Sequence, residues 1–187
     1  SKLNKYSYND LKKEISEFVE HYIPYKNISD FSNDEYFENW KKSYDSHNFM
    51  FSSFVHKDFE FINLFFLKNN KSYLKCGIID FQSAFVGFIG WDLFSILENP
   101  RINFTRKYNE DLIKYFYENV TIKTEFSLFR NQYYLLNLAR HTRLLGRWVK
   151  LFKVTNNKDY LSYINTTQKR IIVCLSNIQN DKLKTIY

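Results

Sequence analysis

Hydrophobic residues recur at the spacing of an α-helix near the start of the chain. Between residues 9 and 22, the apolar positions that share one helical face are Leu11, Ile15, Phe18 and Val19. We expect Asn9 or Asp10 to cap the start of this helix and Pro24 to end it. The same reasoning predicts a second helix that begins at about Asn33.

Short apolar runs replace the helical pattern in the middle of the chain. Residues 51–59, FSSFVHKDF, predict a short strand that enters a loop. Residues 63–70 and 71–81 predict two further strands, which an Asn-Asn-Lys turn at residues 69–71 joins as a hairpin.

Helical periodicity returns after the hairpin. The predicted helices cover residues 91–99, 108–120, 125–154 and 157–178. At 187 residues, one domain is the default. The sequence therefore predicts a mainly helical α+β fold with a small β-hairpin near its middle.

The formal net charge of +7 raises the question of nucleic-acid binding. A nucleic-acid binder concentrates its basic residues on one face, whereas acidic residues interrupt them almost everywhere in this chain. The densest basic group is Arg140, Arg143, Arg147 and Lys150. We expect no nucleic-acid partner, and the positive charge suits an anionic small molecule such as a nucleotide.

The cysteines and the apolar runs indicate the compartment. Cys76 and Cys174 match no metal-binding spacing, which favours free buried thiols in a reducing environment. No apolar run reaches the roughly 18 residues that a membrane helix needs. The polar start shows no signal peptide. The sequence predicts a cytoplasmic protein with no membrane partner.

Polar residues stand on both sides of the predicted hairpin. His56-x-Asp58 precedes it, with Asn63 five residues after the aspartate, and Ile78-Ile79-Asp80-Phe81 follows it. This order suits phosphoryl transfer, because metal ions must bridge the oxygens of the transferred group and a carboxylate must accept the proton of the acceptor hydroxyl. Asn63 and Asp80 are candidate Mg²⁺ ligands, and Asp58 is the candidate catalytic base.

The two motifs together match the protein-kinase signature of His-Arg-Asp, Asn at the same offset, and Asp-Phe-Gly. Lys57 and Gln82 replace the arginine and the glycine of that signature. With those departures, the chain resembles the aminoglycoside phosphotransferase-like family of small-molecule kinases. The segments that carry the resemblance are FVHKDFEFINLFFL and GIIDFQSAFVGFIGWDLFSIL. The IDFQ form and the later LARHTRLLG are most similar to the bacterial anomeric kinases of N-acetylmuramate and N-acetylglucosamine.

This resemblance implies the C-terminal lobe of a kinase-like fold, over residues 1–187, that uses ATP as donor and Mg²⁺. It also implies that His56 and Asp92 brace the catalytic loop and take no part in the chemistry, with Asp92 as a helix N-cap. Gln82 could contact the acceptor or a metal-bound water. Arg140 and Arg143 share a helix face and either form salt bridges or bind an acceptor carboxylate.

The N-terminal lobe of such a kinase carries a glycine-rich loop, and the four glycines of this chain form no such loop. We therefore expect a phosphotransferase lobe whose partners are a nucleotide and a hydroxylated small molecule, inactive on its own. An amino sugar is the favoured acceptor. The alternatives are a catalytically inactive binding module of the same fold, or a kinase for aminoglycoside, choline or homoserine acceptors.

Overall fold

The computed structural model describes residues 3–68, 71, 75–121, 124–179 and 181–187. The chain divides into two compact units. The first, here called the loop unit, comprises Ser1–Tyr6 and Met50–Thr121. The second, here called the helical unit, comprises Ser7–Phe49 and Ile122–Tyr187.

Helices make up the helical unit. Their bounds are α1 Tyr8–Glu17, a π-helical turn Phe18–Tyr22, α2 Ile23–Tyr25, α3 Asn33–Asp45, α6 Phe126–Thr155, α7 Asp159–Asn177 and α8 Asp181–Lys184. Every residue from Gln132 to Thr142 of α6 is buried, because α1, the π-helical turn and α7 all pack against this helix. A helix that is surrounded in this way has no solvent face over its central turns.

The first helix differs from its prediction at both ends. Its N-cap is Ser7, whose hydroxyl accepts from the Asp10 amide while the Asp10 carboxylate accepts from Ser7 N at 2.9 Å. This reciprocal pair is a capping box, so Asp10 takes part from inside the helix and Asn9 does not cap it. Pro24 does not end the helical run, because it lies at the start of α2, where a missing N–H costs little.

His141 of α6 is fully buried, and neither ring nitrogen has a hydrogen-bond partner among the described residues. Burial first, and then the charges of Arg140, Arg170 and Arg143, hold the pKa of His141 well below its usual range. The folded state therefore resists protonation at a pH where the unfolded chain accepts a proton.

We expect the stability of the protein to fall as the pH drops below about 6.5, the unfolded pKa of histidine, by at most about 1.4 kcal/mol per pH unit from His141 alone. Urea unfolding at pH 7.5 and pH 5.5 measures this loss. In the variant His141→Leu, which cannot titrate at this position, the loss should be smaller. An equal loss in both proteins would contradict the assignment to His141.

The loop unit contains short strands and two helices. Their bounds are β1 Ser53–Val55, β2 Leu64–Phe66, β3 Cys76–Ile78, β4 Phe85–Gly87, α4 Trp91–Leu97 and α5 Arg106–Asn119. Strand β2 pairs antiparallel with β3, with Leu64 opposite Ile78. The turn predicted at residues 69–71 lies mostly outside the described residues, since only Lys71 of the three is described.

The sequence did not predict the other sheet, in which β1 pairs antiparallel with β4 and Ser53 lies opposite Gly87. Aromatic side chains form the core beside this pair, with the Trp91 ring centroid 4.9 Å from Tyr6 and 5.0 Å from Phe85. Because β1 and β4 hold the two ends of residues 56–84 together, both polar motifs lie in one closed segment of chain.

Two further predictions concern exposure. Neither cysteine forms a disulfide, and Cys174 is buried, but Cys76, which the sequence predicted to be buried, is exposed at the start of β3. No helix among the described residues is long and apolar enough to cross a bilayer.

Candidate active site

The loop that follows β1, residues 56–63, is here called the catalytic loop. The Asp92 carboxylate accepts hydrogen bonds from the main-chain amides of His56 at 2.8 Å and Lys57 at 3.0 Å. Lys57 has a left-handed backbone with φ of 75°, which is uncommon for a residue with a long side chain. The two bonds from consecutive amides stabilise this conformation, so Asp92 determines how the chain turns into the loop.

Asp92 does not cap its helix as predicted, because the N-cap of α4 is Gly90. Its carboxylate points to the catalytic loop instead. Burial raises the pKa of Asp92, while the hydrogen bonds from the two loop amides act in the opposite direction. The amides therefore replace part of the hydration that the carboxylate loses inside the protein.

His56 connects the catalytic loop to the second motif. The ring is buried, and its Nε2 lies 2.9 Å from the main-chain oxygen of Ile79. A carbonyl oxygen can only accept, so Nε2 carries the proton and donates it. Since Ile79 directly precedes Asp80, this bond fixes the backbone at the candidate metal ligand relative to the catalytic loop.

The Asn63 side chain folds back onto its own loop. Its Nδ2 donates to the main-chain oxygen of Asp58 at 2.8 Å, and Asn63 O accepts from Ile79 N at 3.1 Å. The amide is thereby oriented with its nitrogen toward the protein, which leaves Oδ1 as the atom available to a cation.

Asp80 follows β3 and also has a left-handed backbone, with φ of 71°. Aspartate tolerates this region better than most residues, and non-glycine residues held there are concentrated at functional sites. The Gln82 side chain donates from Nε2 to Asp80 Oδ1 at 2.8 Å. Gln82 thus orients the Asp80 carboxylate.

One cavity of about 550 Å³ in the loop unit brings the main candidates together. Its lining residues are Asp58, Glu60, Phe61, Ile62, Asn63, Asp80, Asn99, Arg101 and Ile102. The candidate base and both candidate metal ligands therefore face one solvent-connected space. A cavity of this size can hold a small organic molecule.

The donor set is compatible with Mg²⁺. The described residues contain no group of three or more His, Cys, Asp or Glu side chains arranged to hold a metal. Mg²⁺ does not need such a group, because it is commonly held by one or two protein oxygens together with substrate phosphates and water. Asn63 and Asp80 supply that kind of partial site.

Arg140 and Arg143 are not among the residues that line this cavity. Both belong to α6 in the helical unit, where Arg140 is 3% exposed. The Arg143 guanidinium lies 3.9 Å from the Glu14 carboxylate, and the neighbouring Arg147 lies 2.7 Å from Glu17. The sequence left salt bridges and acceptor binding as the two interpretations of these arginines. The distances support salt bridges with α1.

Glu60, Asn99 and Arg101 also line the cavity, although no sequence motif indicated them. Arg101 Nη1 lies 2.8 Å from Glu60 Oε2. The pair spans 41 residues of sequence, so neither residue alone carried a recognisable signal. Only the position of Glu60, two residues after Asp58, could have drawn attention to it.

A second cavity, of about 480 Å³, lies in the helical unit and is mostly apolar. Its walls include Phe18, Ile171 and Leu175, and none of the candidate catalytic residues lines it. The candidate base and the candidate metal ligands therefore line the cavity of the loop unit and not this one.

Comparison with known proteins identifies related sequences. A family model described as the ecdysteroid kinase-like family matches residues 2–125. The N-acetylmuramate/N-acetylglucosamine kinase of Neisseria meningitidis serogroup B is 25% identical over 130 residues, which cover 63% of this chain and 37% of that kinase. The chain thus spans little more than a third of the length of this relative.

Proposed function

The chain belongs to the ecdysteroid kinase-like family, and we propose that it is the acceptor-binding lobe of an ATP-dependent phosphotransferase. In this proposal the γ-phosphoryl group passes from ATP to a hydroxyl of a small molecule, and an amino sugar of the N-acetylglucosamine type is the favoured acceptor. The similarity to a bacterial amino-sugar kinase supports this choice of acceptor.

One observation carries the proposal: Asp58, Asn63 and Asp80 line the same cavity. A binding module would need none of these three side chains in this arrangement. Phosphoryl transfer needs all of them, because it depends on positioning and on charge neutralisation rather than on covalent catalysis.

Asp58 is the group that accepts the proton of the acceptor hydroxyl. Its main-chain oxygen is held by Asn63, which fixes the loop at this residue while the carboxylate lines the cavity. Asn63 Oδ1 and the Asp80 carboxylate would hold Mg²⁺, which supplies positive charge to the phosphate oxygens. Gln82 keeps the Asp80 carboxylate in place through its hydrogen bond to Oδ1.

Asp92 and His56 have positioning roles in this scheme. Asp92 holds the amides at the start of the catalytic loop, and His56 holds Ile79 beside Asp80. Because the ring Nε2–H is engaged by Ile79 O, His56 is not assigned as a base.

The donor nucleotide requires a second lobe with a phosphate-covering loop. We propose that this lobe acts together with the chain described here, and that the chain alone has little or no turnover. The direct test is to incubate the full-length protein with Mg-ATP and a panel of amino sugars, and to follow ADP together with phosphorylated sugar. Absence of any phosphorylated product, with a folded protein that binds nucleotide, would refute an amino sugar as the acceptor.

Asp80→Asn is expected to raise the Mg²⁺ concentration for half-maximal turnover by about tenfold or more, because a neutral amide is a much weaker ligand than a carboxylate. A magnesium titration at saturating ATP measures the change in the full-length protein. Asp111→Asn, which changes an exposed acid on α5, serves as the matched control and should leave the magnesium curve unchanged. An unchanged curve for Asp80→Asn would remove this residue from the metal site.

A further inference from the structure

Among the described residues that line the cavity, Arg101 has the only basic side chain. Its Nη1 lies 2.8 Å from Glu60 Oε2, with side-chain exposures of 42% for Arg101 and 22% for Glu60. The guanidinium is thus in contact with a carboxylate and also accessible from the cavity. The sequence motifs assign no role to either residue.

The position of Arg101 is fixed from both sides. Its main-chain N–H donates to Asn99 Oδ1 at 3.0 Å, and Asn99 is itself buried. Glu60 N donates to Asp58 O at 2.9 Å, which ties the other partner to the catalytic loop. The ion pair therefore joins the segment after α4 to a point two residues from the candidate base.

We infer that Arg101, held by Glu60, contacts the acceptor and selects acceptors with an oxygen-rich edge over acceptors with an ammonium group. This inference rests on the proposed function and specifies the acceptor of the same site. A guanidinium offers only hydrogen-bond donors, so it binds hydroxyl, carbonyl or carboxylate oxygens and repels a cation.

The carboxylates of Asp58, Glu60 and Asp80 line the cavity together with the Arg101 guanidinium. A preference for an oxygen-rich acceptor therefore comes from Arg101 itself and not from the net charge of the cavity. Glu60 already offsets part of the guanidinium charge, so a full negative charge on the acceptor is not required for binding. An acetamide carbonyl or a ring hydroxyl is a sufficient partner. Phe61, the residue after Glu60, is 47% exposed and also lines the cavity, where it offers an apolar surface to the acceptor skeleton.

The inference also distinguishes the cationic acceptors among the alternatives from acceptors that present oxygen atoms to Arg101. Choline and aminoglycosides are cationic, and their ammonium groups cannot accept a hydrogen bond from the Arg101 guanidinium that lines the cavity. The sequence left Arg140 and Arg143 as either salt-bridging or acceptor-binding residues, and neither of them lines the cavity. Arg101 replaces them as the candidate for recognition of acceptor oxygens.

The test compares N-acetylglucosamine with glucosamine, which share one ring and differ in an acetamide or an ammonium group. In the full-length protein, Arg101→Gln should lower kcat/KM for N-acetylglucosamine by about tenfold or more, mainly through KM, because a charge-assisted hydrogen bond is lost. It should also reduce the preference for N-acetylglucosamine over glucosamine. Lys107→Gln removes one exposed charge from α5 in the same unit and should change neither value.

Glu60→Gln tests whether Glu60 positions the Arg101 guanidinium for the acceptor. It should raise KM for N-acetylglucosamine while KM for ATP stays constant. The exchanged pair, Glu60→Arg with Arg101→Glu, retains an ion pair but moves the guanidinium. If the pair only stabilises the loops, the exchange restores wild-type KM. If Arg101 contacts the acceptor, KM stays high.

The outcomes separate this inference from the proposed function. Turnover with an unchanged sugar preference in Arg101→Gln would overturn the inference and leave phosphotransfer intact. If the wild-type protein shows no turnover, calorimetric titration with the two sugars tests the inference instead. Equal dissociation constants for the two sugars, or no binding of either sugar, would overturn it.

Discussion

Replacing Asp58 by asparagine is expected to reduce kcat of the full-length protein by about 10² to 10⁴, the usual contribution of a general base. Asparagine has nearly the same shape but cannot accept the proton of the acceptor hydroxyl. The loop should keep its geometry, because Asn63 binds the main-chain oxygen of Asp58 and not its carboxylate. The loss therefore isolates the chemistry of one side chain.

The measurement is a steady-state assay with Mg-ATP and saturating acceptor, accompanied by a nucleotide titration. The dissociation constant of the nucleotide should stay within about twofold of the wild type, since the base takes part in the transition state and not in nucleotide binding. Asp34→Asn, an exposed acid at the start of α3, is the matched control and should retain full turnover. A wild-type kcat in Asp58→Asn would exclude Asp58 as the base.

The sequence predicted the main helices because each carries a local apolar period. The predicted starts and ends agree least where a residue has two possible roles. Asp10 can cap a helix from outside or complete a capping box from inside, and only the extended backbone of Ser7 decides between them. Pro24 can end a helix or lie in its first turn, and here it is the second residue of α2, which follows a π-helical turn.

Part of the candidate site was predictable because its motifs, like the helices, are local in the sequence. The spacing of Asp58 and Asn63, and the position of Asp80 after a strand, are short-range features that a sequence displays. The pairing of β1 with β4 joins residues that are 30 to 34 positions apart, and the ion pair joins Glu60 to Arg101 across 41 positions. Such contacts depend on the fold, because no local rule links the two partners.

For Arg140 and Arg143, the sequence showed that the two residues share a helix face, but it did not show which residues lie opposite that face. Their spacing on α6 predicted a shared face and favoured salt bridging, with acceptor binding as the alternative. The acids of α1 that pair with this face, Glu14 and Glu17, are about 130 residues away in sequence. Charge patterning can therefore indicate a shared face, but tertiary packing decides what lies opposite.

Gly146→Ala is expected to lower the free energy of unfolding by roughly 2 kcal/mol, although alanine is the better helix former by about 1 kcal/mol. A Cβ atom at this position would lie 1.9 Å from the main-chain oxygen of Glu17 and 2.7 Å from Phe18 N. Both atoms belong to the backbone, so no side-chain rotation can relieve the overlap. Helices α1 and α6 would have to separate.

The close approach coincides with the point where α1 passes into the π-helical turn at Phe18. Separation of the helices would also strain the Arg147–Glu17 ion pair, whose atoms lie 2.7 Å apart one residue from Gly146. For a protein of this size, a loss of roughly 2 kcal/mol corresponds to a decrease in Tm of about 4 to 8 °C.

Thermal and urea unfolding of Gly146→Ala measure this loss, and Gly77→Ala is the control. A Cβ at Gly77 would meet the Leu67 side chain at 3.4 Å, an ordinary contact, so its Tm should change by no more than about 2 °C. If Gly146→Ala instead stabilises the protein by about 1 kcal/mol, helix propensity decides the outcome and the α1–α6 contact is looser than the structure has it. A loss confined to Gly146→Ala would establish that the absence of a side chain there determines how closely these two helices pack.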